Sequence, residues 1–180
     1  MFKRTYSFHT SPNIDENVGI TVRAVEGGLV SNSLQIINGA ADISLDGVAG
    51  DFVIEPCQDN KRHVVMFAAG SGITPIMAML KTILHHEPES IISVIYSNKT
   101  YTKTIFKDEL ADLAKTFYGR LAVYHILTQD ENHPVDTPIF YKGRLSKVIT
   151  KKALKTILAG LNYPTEYYLC GPFAFMQMVE

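Results

Sequence analysis

The sequence predicts an α/β fold, a parallel sheet with helices on both faces, preceded by a shorter β-rich lobe. Two observations predict the sheet. Apolar runs of strand length alternate with amphipathic stretches of helix length along residues 63–170. Strands that alternate with helices line up in parallel, with the helices as crossovers. The runs also begin about 30 residues apart, the length of one strand–helix–strand unit. A third observation marks the boundary. Before the stretch Pro56 to Arg62 the texture is short-pitched and β-like.

In the leading lobe, Arg4 to His9 and Gly19 to Val25 read as strands. The second carries the β-branched residues Ile20, Thr21, Val22 and Val25. Gly27-Gly28 reads as a turn, and Leu29 to Ile37 as one short helix closed by Asn38-Gly39. Asp42 to Leu45 reads as a strand. Gly47 and Gly50 break the chain before Phe52-Val53-Ile54. The expected units are residues 1–58 and 59–180.

Beyond the divide, His63 to Ala68 is a continuous apolar run, as for a strand buried on both faces. Pro75 to His85 reads as a helix with Ile76, Met79, Leu80 and Ile83 on one side. Ile91 to Tyr96 is the second strand. Thr104 to Phe117 is an amphipathic helix, with Phe106, Leu110, Leu113 and Phe117 on its apolar stripe. Leu121 to Leu127 is the third strand, Thr150 to Leu161 the third helix and Glu166 to Cys170 the fourth strand.

Composition excludes several classes. A net charge of -1 over 180 residues argues against a nucleic-acid partner. No apolar run approaches the ~20 residues of a membrane span. The opening Met-Phe-Lys-Arg-Thr-Tyr-Ser has no apolar core of a signal peptide. Cys57 and Cys170 stand far apart, so neither a disulfide framework nor a cysteine-held metal is expected. A reducing cytoplasm fits this usage.

In a parallel sheet, ligands sit beyond the carboxyl ends of the strands. After the first α/β strand the chain reads Gly70-Ser71-Gly72-Ile73-Thr74-Pro75. Glycines let backbone approach a phosphate, and the free N–H groups of a helix start favour an anion. Thr74 is expected as the cap and Pro75 as the first helical residue. The spacing is G-x-G-x-x-P, so the usual dinucleotide fingerprint is incomplete and a plain tight turn is the rival reading. After the second strand come Ser97, Asn98, Lys99 and Lys103. An NAD-selective site places an acid here. Hydroxyls and lysines suit a 2′-phosphate instead, which leans toward NADP with NAD as the alternative; an ordinary polar loop is the other reading.

Three segments together resemble the ferredoxin–NADP reductase superfamily. They are Arg4-Thr5-Tyr6-Ser7, Ala69-Gly70-Ser71-Gly72-Ile73-Thr74-Pro75 and Leu169-Cys170-Gly171-Pro172. They match its flavin motif, its nicotinamide loop and its Cys-Gly-Pro motif, in the family's order. Val22 to Asn32 and Ile105 to Leu110 also resemble it. The likeness covers essentially the whole chain and extends in particular to reductases of multicomponent oxygenases.

The resemblance implies part of an antiparallel β-barrel FAD-binding domain over 1–58. A Rossmann-like NAD(P)H-binding domain over 59–180 would follow it, cut short at its C-terminal end. It implies Arg4 on the flavin pyrophosphate, Tyr6 on the isoalloxazine, Ser7 near flavin N5 and Cys170 beside the nicotinamide. Val22, Arg23, Gly28, Val30, Ser31 and Asn32 would hold ribityl and pyrophosphate. Gly70 to Pro75 and Gly171-Pro172 would line the nicotinamide cofactor. The cofactors implied are FAD and NADP. The electron acceptor implied is a ferredoxin, a flavodoxin or an oxygenase component. A 2Fe–2S cluster would require a further domain outside this sequence. The rival readings are a nucleotide-binding regulatory or electron-transfer subunit without flavin catalysis and a generic α/β enzyme for a phosphate ligand.

Other residues read as structural. Adjacent His85 and His86 suit a helix end and its dipole. His125 reads as core or as a loop anchor. Lys151-Lys152 and the Asp108-Glu109 pair read as solvated surface, and Arg144 reads either as a surface arginine or as one that reaches the cofactor phosphates.

Overall fold

The strand His63–Ala69 (β1) is apolar on both sides because a core covers each of its faces. The computed structural model describes residues 2–12, 14–129 and 139–180. Around β1 run Ile91–Asn98 (β2), Leu121–Leu127 (β3), Ile139–Lys142 (β4) and Thr165–Cys170 (β5). Their order is β4-β3-β2-β1-β5, and every neighbouring pair is parallel. The chain steps outward from β1 to β4, then returns to the other side of β1 as β5. The order therefore reverses between β1 and β5, where a ligand crevice opens in such sheets.

Alternation along β1 builds two cores. Val64, Met66 and Ala68 pack toward the helix Ile73–His86 (α2), meeting Ile76, Leu80 and Ile83. Leu110 and Leu113 of the helix Lys107–Thr116 (α3) close that side. Val65 and Phe67 point the other way, to Ala153 and Ile157 of the helix Lys147–Ile157 (α4). Phe175 and Met178 of a short helix, Phe173–Val179 (α5), join them. The fully buried Val, Ile, Leu, Met and Phe side chains among them each contribute about 1.5–3 kcal/mol.

Three boundaries differ from expectation for local reasons. The second expected helix starts at Ile73, because a 3-10 turn over Gly70–Gly72 runs straight into it. Gly72 is its cap, and the Thr74 hydroxyl donates back to Ser71 O at 3.0 Å. Pro75 sits within the first turn, where no helical N–H partner is required. Helix α3 starts at Lys107, because Phe106 is left-handed with φ 58°. Helix α4 starts at Lys147, capped by Ser146, whose hydroxyl accepts from Ile149 N–H. The edge strand β4 was not expected, being only four residues long.

The leading lobe differs more. Its helix, Leu29–Gln35, is present (α1). The expected strands are not. Residues 4–9 and 19–25 meet in a single antiparallel bridge, Phe8 to Ile20. Side chains occupy the backbone groups that a ladder would use. Gln35 donates to Val22 O, Asn32 donates to Val25 O, and Val25 N–H donates to Ser31 Oγ. Among the described residues, 42–45 join no strand ladder.

At the amino ends of the strands, Arg62 ties lobe to sheet. It donates to Glu87 at 2.6 Å, to Glu166 at 2.8 Å and to Glu55 O at 3.3 Å. Burial alone would raise the Glu87 carboxyl, but hydrogen bonds from Arg62, Asn60 and Ser90 outweigh it and hold the group below its usual range.

Candidate functional site

The loops after β1 and β5 lie directly against each other. A Cβ on Gly72 would stand 2.2 Å from Cys170 O, so only glycine allows the approach. A Cβ on Gly171 would stand 3.0 Å from Ala69 Cβ. Tyr96, fully buried on β2, fixes the same loop by donating to Gly70 O at 3.0 Å. Burial pushes its hydroxyl up to about 12, despite smaller opposing contributions from Asn98, Ile105 and Arg23. It therefore remains a donor throughout the neutral range.

The leading lobe closes over this junction. A groove of about 450 Å³ is lined by Thr5, Tyr6, Ser7, Thr21, Arg23 and Val25 from the lobe. From the sheet side it is lined by Ala69, Ser71, Gly72, Thr74, Cys170, Gly171 and Pro172. Tyr6, Ser7 and Cys170, expected on opposite sides of one reaction, thus share one cleft. A second groove of about 390 Å³ adjoins it, sharing Thr21 and Arg23. Val22, Ala24, Gln35, Gly70, Asn98, Lys103 and Ile105 complete that wall. The Arg23 guanidinium reaches toward the glycine loop, 3.6 Å from where a Gly70 Cβ would stand.

The chemistry of the walls is mixed. Tyr6 offers a flat face, and Thr5, Ser7, Thr21, Ser71 and Thr74 offer hydroxyls. Arg23 and Lys103 supply positive charge. Cys170 is half-buried, and burial pushes its thiol up. At neutral pH it is a small neutral wall and a poor nucleophile, since nucleophilic attack needs the thiolate.

Other expected positions lie outside the grooves. Gly28, Ser31 and Asn32 brace the turn at Val25, with Gly28 N–H donating to Val25 O at 2.8 Å. Val30 belongs to α1. Arg4 donates to Lys3 O at the surface. Ile73 and Pro75 are buried in the first turn of α2. Ser97 is half-buried in the last residues of β2, and Lys99 is exposed. Sequence reasoning missed Thr5, Thr21, Val25, Ala69, Ala24, Gln35 and Ile105. Period-two alternation around Arg23 carried part of the signal, because Thr21, Arg23 and Val25 face the same groove. Gln35, one helix away, left no such mark.

His85 and His86 each bond a carbonyl of the preceding turn, at Lys81 and Thr82. His125 is buried among Tyr96 and Tyr101, and burial pushes it down to about 4. Lys151, Lys152 and Arg144 are exposed. Glu109, expected as a solvated residue, instead pairs with the buried Lys81 at 2.6 Å. Among the described residues, no helix is long and apolar enough to cross a membrane.

The family described as oxidoreductase NAD-binding domain matches residues 66–180. One component of the 1,2-phenylacetyl-CoA epoxidase of Escherichia coli K12 is 30% identical over 99% of this chain and 49% of its own length. The ferredoxin reductase component of a 3-ketosteroid-9-alpha-monooxygenase from Mycolicibacterium smegmatis is 30% identical over 98% of this chain and 45% of its own length. The chain thus spans about half the length of the curated relatives it matches. Among solved structures, the flavohem-like FAD/NAD-binding domain of a nitric oxide dioxygenase from Vibrio cholerae superposes with a TM-score of 0.74 at 26% identity. That match covers 98% of this chain and 68% of the other.

Proposed function

The chain belongs to the oxidoreductase NAD-binding domain family, and on that premise we propose that it is the hydride-accepting part of a flavin-dependent NAD(P)H oxidoreductase. Electrons would leave it singly, for an iron–sulfur or flavodoxin-type acceptor such as an oxygenase component. One observation carries the reading: Tyr6 and Ser7 meet Cys170 across a single groove.

The residues present fit both cofactors. When bound, a reduced nicotinamide supplies a hydride, and a flavin takes the pair and gives it up one electron at a time. Tyr6 presents a flat aromatic wall of the kind that packs on a ring. Ser7 holds a hydroxyl donor beside that wall. Cys170 and Gly171 keep the opposite side small, so a second ring can come close. The N–H groups of the Gly70–Gly72 turn and the start of α2 suit a pyrophosphate. Arg23 lines both grooves and can neutralise phosphate charge from either. Lys103 and Asn98 favour the 2′-phosphate of NADP over the plain ribose of NAD.

In this reading residues 1–58 belong to the flavin lobe and residues 59–180 to the nicotinamide lobe. The test is the visible spectrum of protein purified from the complete coding sequence. Flavin bands near ~450 nm, bleached by NADPH without oxygen, support the proposal. A colourless protein that still binds NADPH would overturn it in favour of a nucleotide-binding subunit without flavin chemistry.

A further inference from the structure

Away from the grooves, a buried lysine joins the lobe to the sheet. Lys81 lies on α2, and its side chain is only 10% exposed. A cation so far out of water is costly without partners. It has two, from different places. Glu109 of α3 lies 2.6 Å from Nζ, and Asp15 of the leading lobe lies 3.4 Å away. The next residue repeats the link, with Thr82 Oγ1 and Ser11 Oγ 2.6 Å apart in a buried contact. Asp15 is itself fixed, since its other oxygen accepts from Ser11 N–H at 2.7 Å. The rings of His9 and Phe106 pack nearby, 5.1 Å between centroids.

These contacts fall on a short path between the two walls of the cleft. The segment Ser11–Asp15 leaves the Tyr6-Ser7 wall within a few residues. Helix α2 carries Lys81 in its interior and begins at Ile73, next to the Gly70–Gly72 turn. From Ile73 to Lys81 is roughly 12 Å along a rigid helix. Lys81 and Asp15 line neither groove.

We propose that Lys81 and Asp15 form a clasp between the lobes that sets the spacing of the Tyr6-Ser7 wall from the Cys170 wall. Lys81 is thus a positioning residue of the redox cleft. The inference rests on the function proposed above. Glu109 meets the same Nζ from another element, because it belongs to the nicotinamide lobe and ties α2 to α3. The two carboxylates therefore separate lobe placement from local packing.

The experiment compares D15N, K81M and E109Q in the full-length, flavin-loaded protein. One readout is hydrogen exchange at residues 9–15 without nicotinamide cofactor. The other is the single-turnover rate of flavin reduction by NADPH. D15N and K81M should speed exchange at 9–15. They should also lower the limiting reduction rate by about ten-fold or more, since a misplacement of about 1 Å can cost on the order of a hundred-fold. The NADPH concentration at half-saturation should stay within about two-fold, because neither residue touches the cofactor grooves. E109Q should lower the melting temperature and leave the limiting rate and the 9–15 exchange unchanged. If D15N reduces its flavin as fast as wild type, or if E109Q slows reduction equally, the clasp does not position the cleft. A wild-type protein without reducible flavin would sink the functional reading itself, a separate result.

Discussion

The sheet region and the leading lobe use apolar residues in opposite ways. Val64, Met66, Ile76 and Ile95 are wholly buried. Ile36, Leu45 and Val48 of the lobe are 77%, 82% and 80% exposed. The sheet is held by a two-sided core and four parallel pairings. The lobe is held against it by polar contacts, Arg62 with Glu55, Lys81 with Asp15 and Ser11 with Thr82, beside the apolar contacts of Ile54, Phe52 with Tyr168 and His9 with Phe106. The sheet therefore carries the stability, while the lobe carries placement. Half of the cleft is built on each.

The largest test of that contrast is deletion of packing. Phe67→Ala should cost about 3–5 kcal/mol, read as a fall in unfolding midpoint. Ile36→Ser should fall within about 0.5 kcal/mol. Equal costs would mean that the lobe has a core of its own.

Next comes pH. His125 has its folded-state value depressed to about 4 by burial. The unfolded chain therefore binds its proton first as pH falls. Stability is full above about 6.5 and is lost down to about pH 4, by on the order of 3 kcal/mol. His125→Gln should flatten that part of the stability profile. Glu87 and Asp15 are both lowered, burial opposing and hydrogen bonds winning. Their contribution is present above the usual carboxylate range and disappears below it, so it separates from that of His125.

Gly72→Ala places a methyl group against Cys170 O, where the contact would be 2.2 Å. The two loops must part. The expected cost is about 1–3 kcal/mol in stability. Calorimetric titration should show at least ten-fold weaker NADPH binding, about 1.4 kcal/mol. Unchanged affinity would show that the loop junction does not hold the cofactor.

The smallest effect on stability is expected at Arg4, an exposed residue. Arg4→Ala should leave melting within about 0.5 kcal/mol and lower the flavin retained after gel filtration. Full retention would remove Arg4 from the flavin site.

Much of this was legible in the sequence because periodicity reports burial. The runs at 63–68, 91–96 and 121–127 are apolar because both faces of the sheet are covered. They became β1, β2 and β3. Gly72 reads in the sequence as a glycine for approach to a phosphate, whereas the contact that requires it is with Cys170 O; parts of all three motifs do line one groove. The lobe was less legible. Thr21, Val22 and Val25 have strand character, but strand character does not supply a neighbour. The side chains of α1 took the backbone groups instead. Glu109 was misread because a helix pattern shows which residues are polar, not which face a buried lysine on another helix. The clasp depends on residues 15, 81 and 109, whose pairing has no sequence signature.

The two cysteines allow the most direct test of the shared cleft. Cys170 lines the groove, while Cys57 is exposed outside it. Thiol labelling followed by mass spectrometry gives the rate at each position. With flavin and NADP⁺ present at about ten times their dissociation constants, labelling of Cys170 should slow by about ten-fold. Cys57 should label at its original rate. Equal labelling of Cys170 with and without the cofactors would contradict a common site between Tyr6-Ser7 and Cys170.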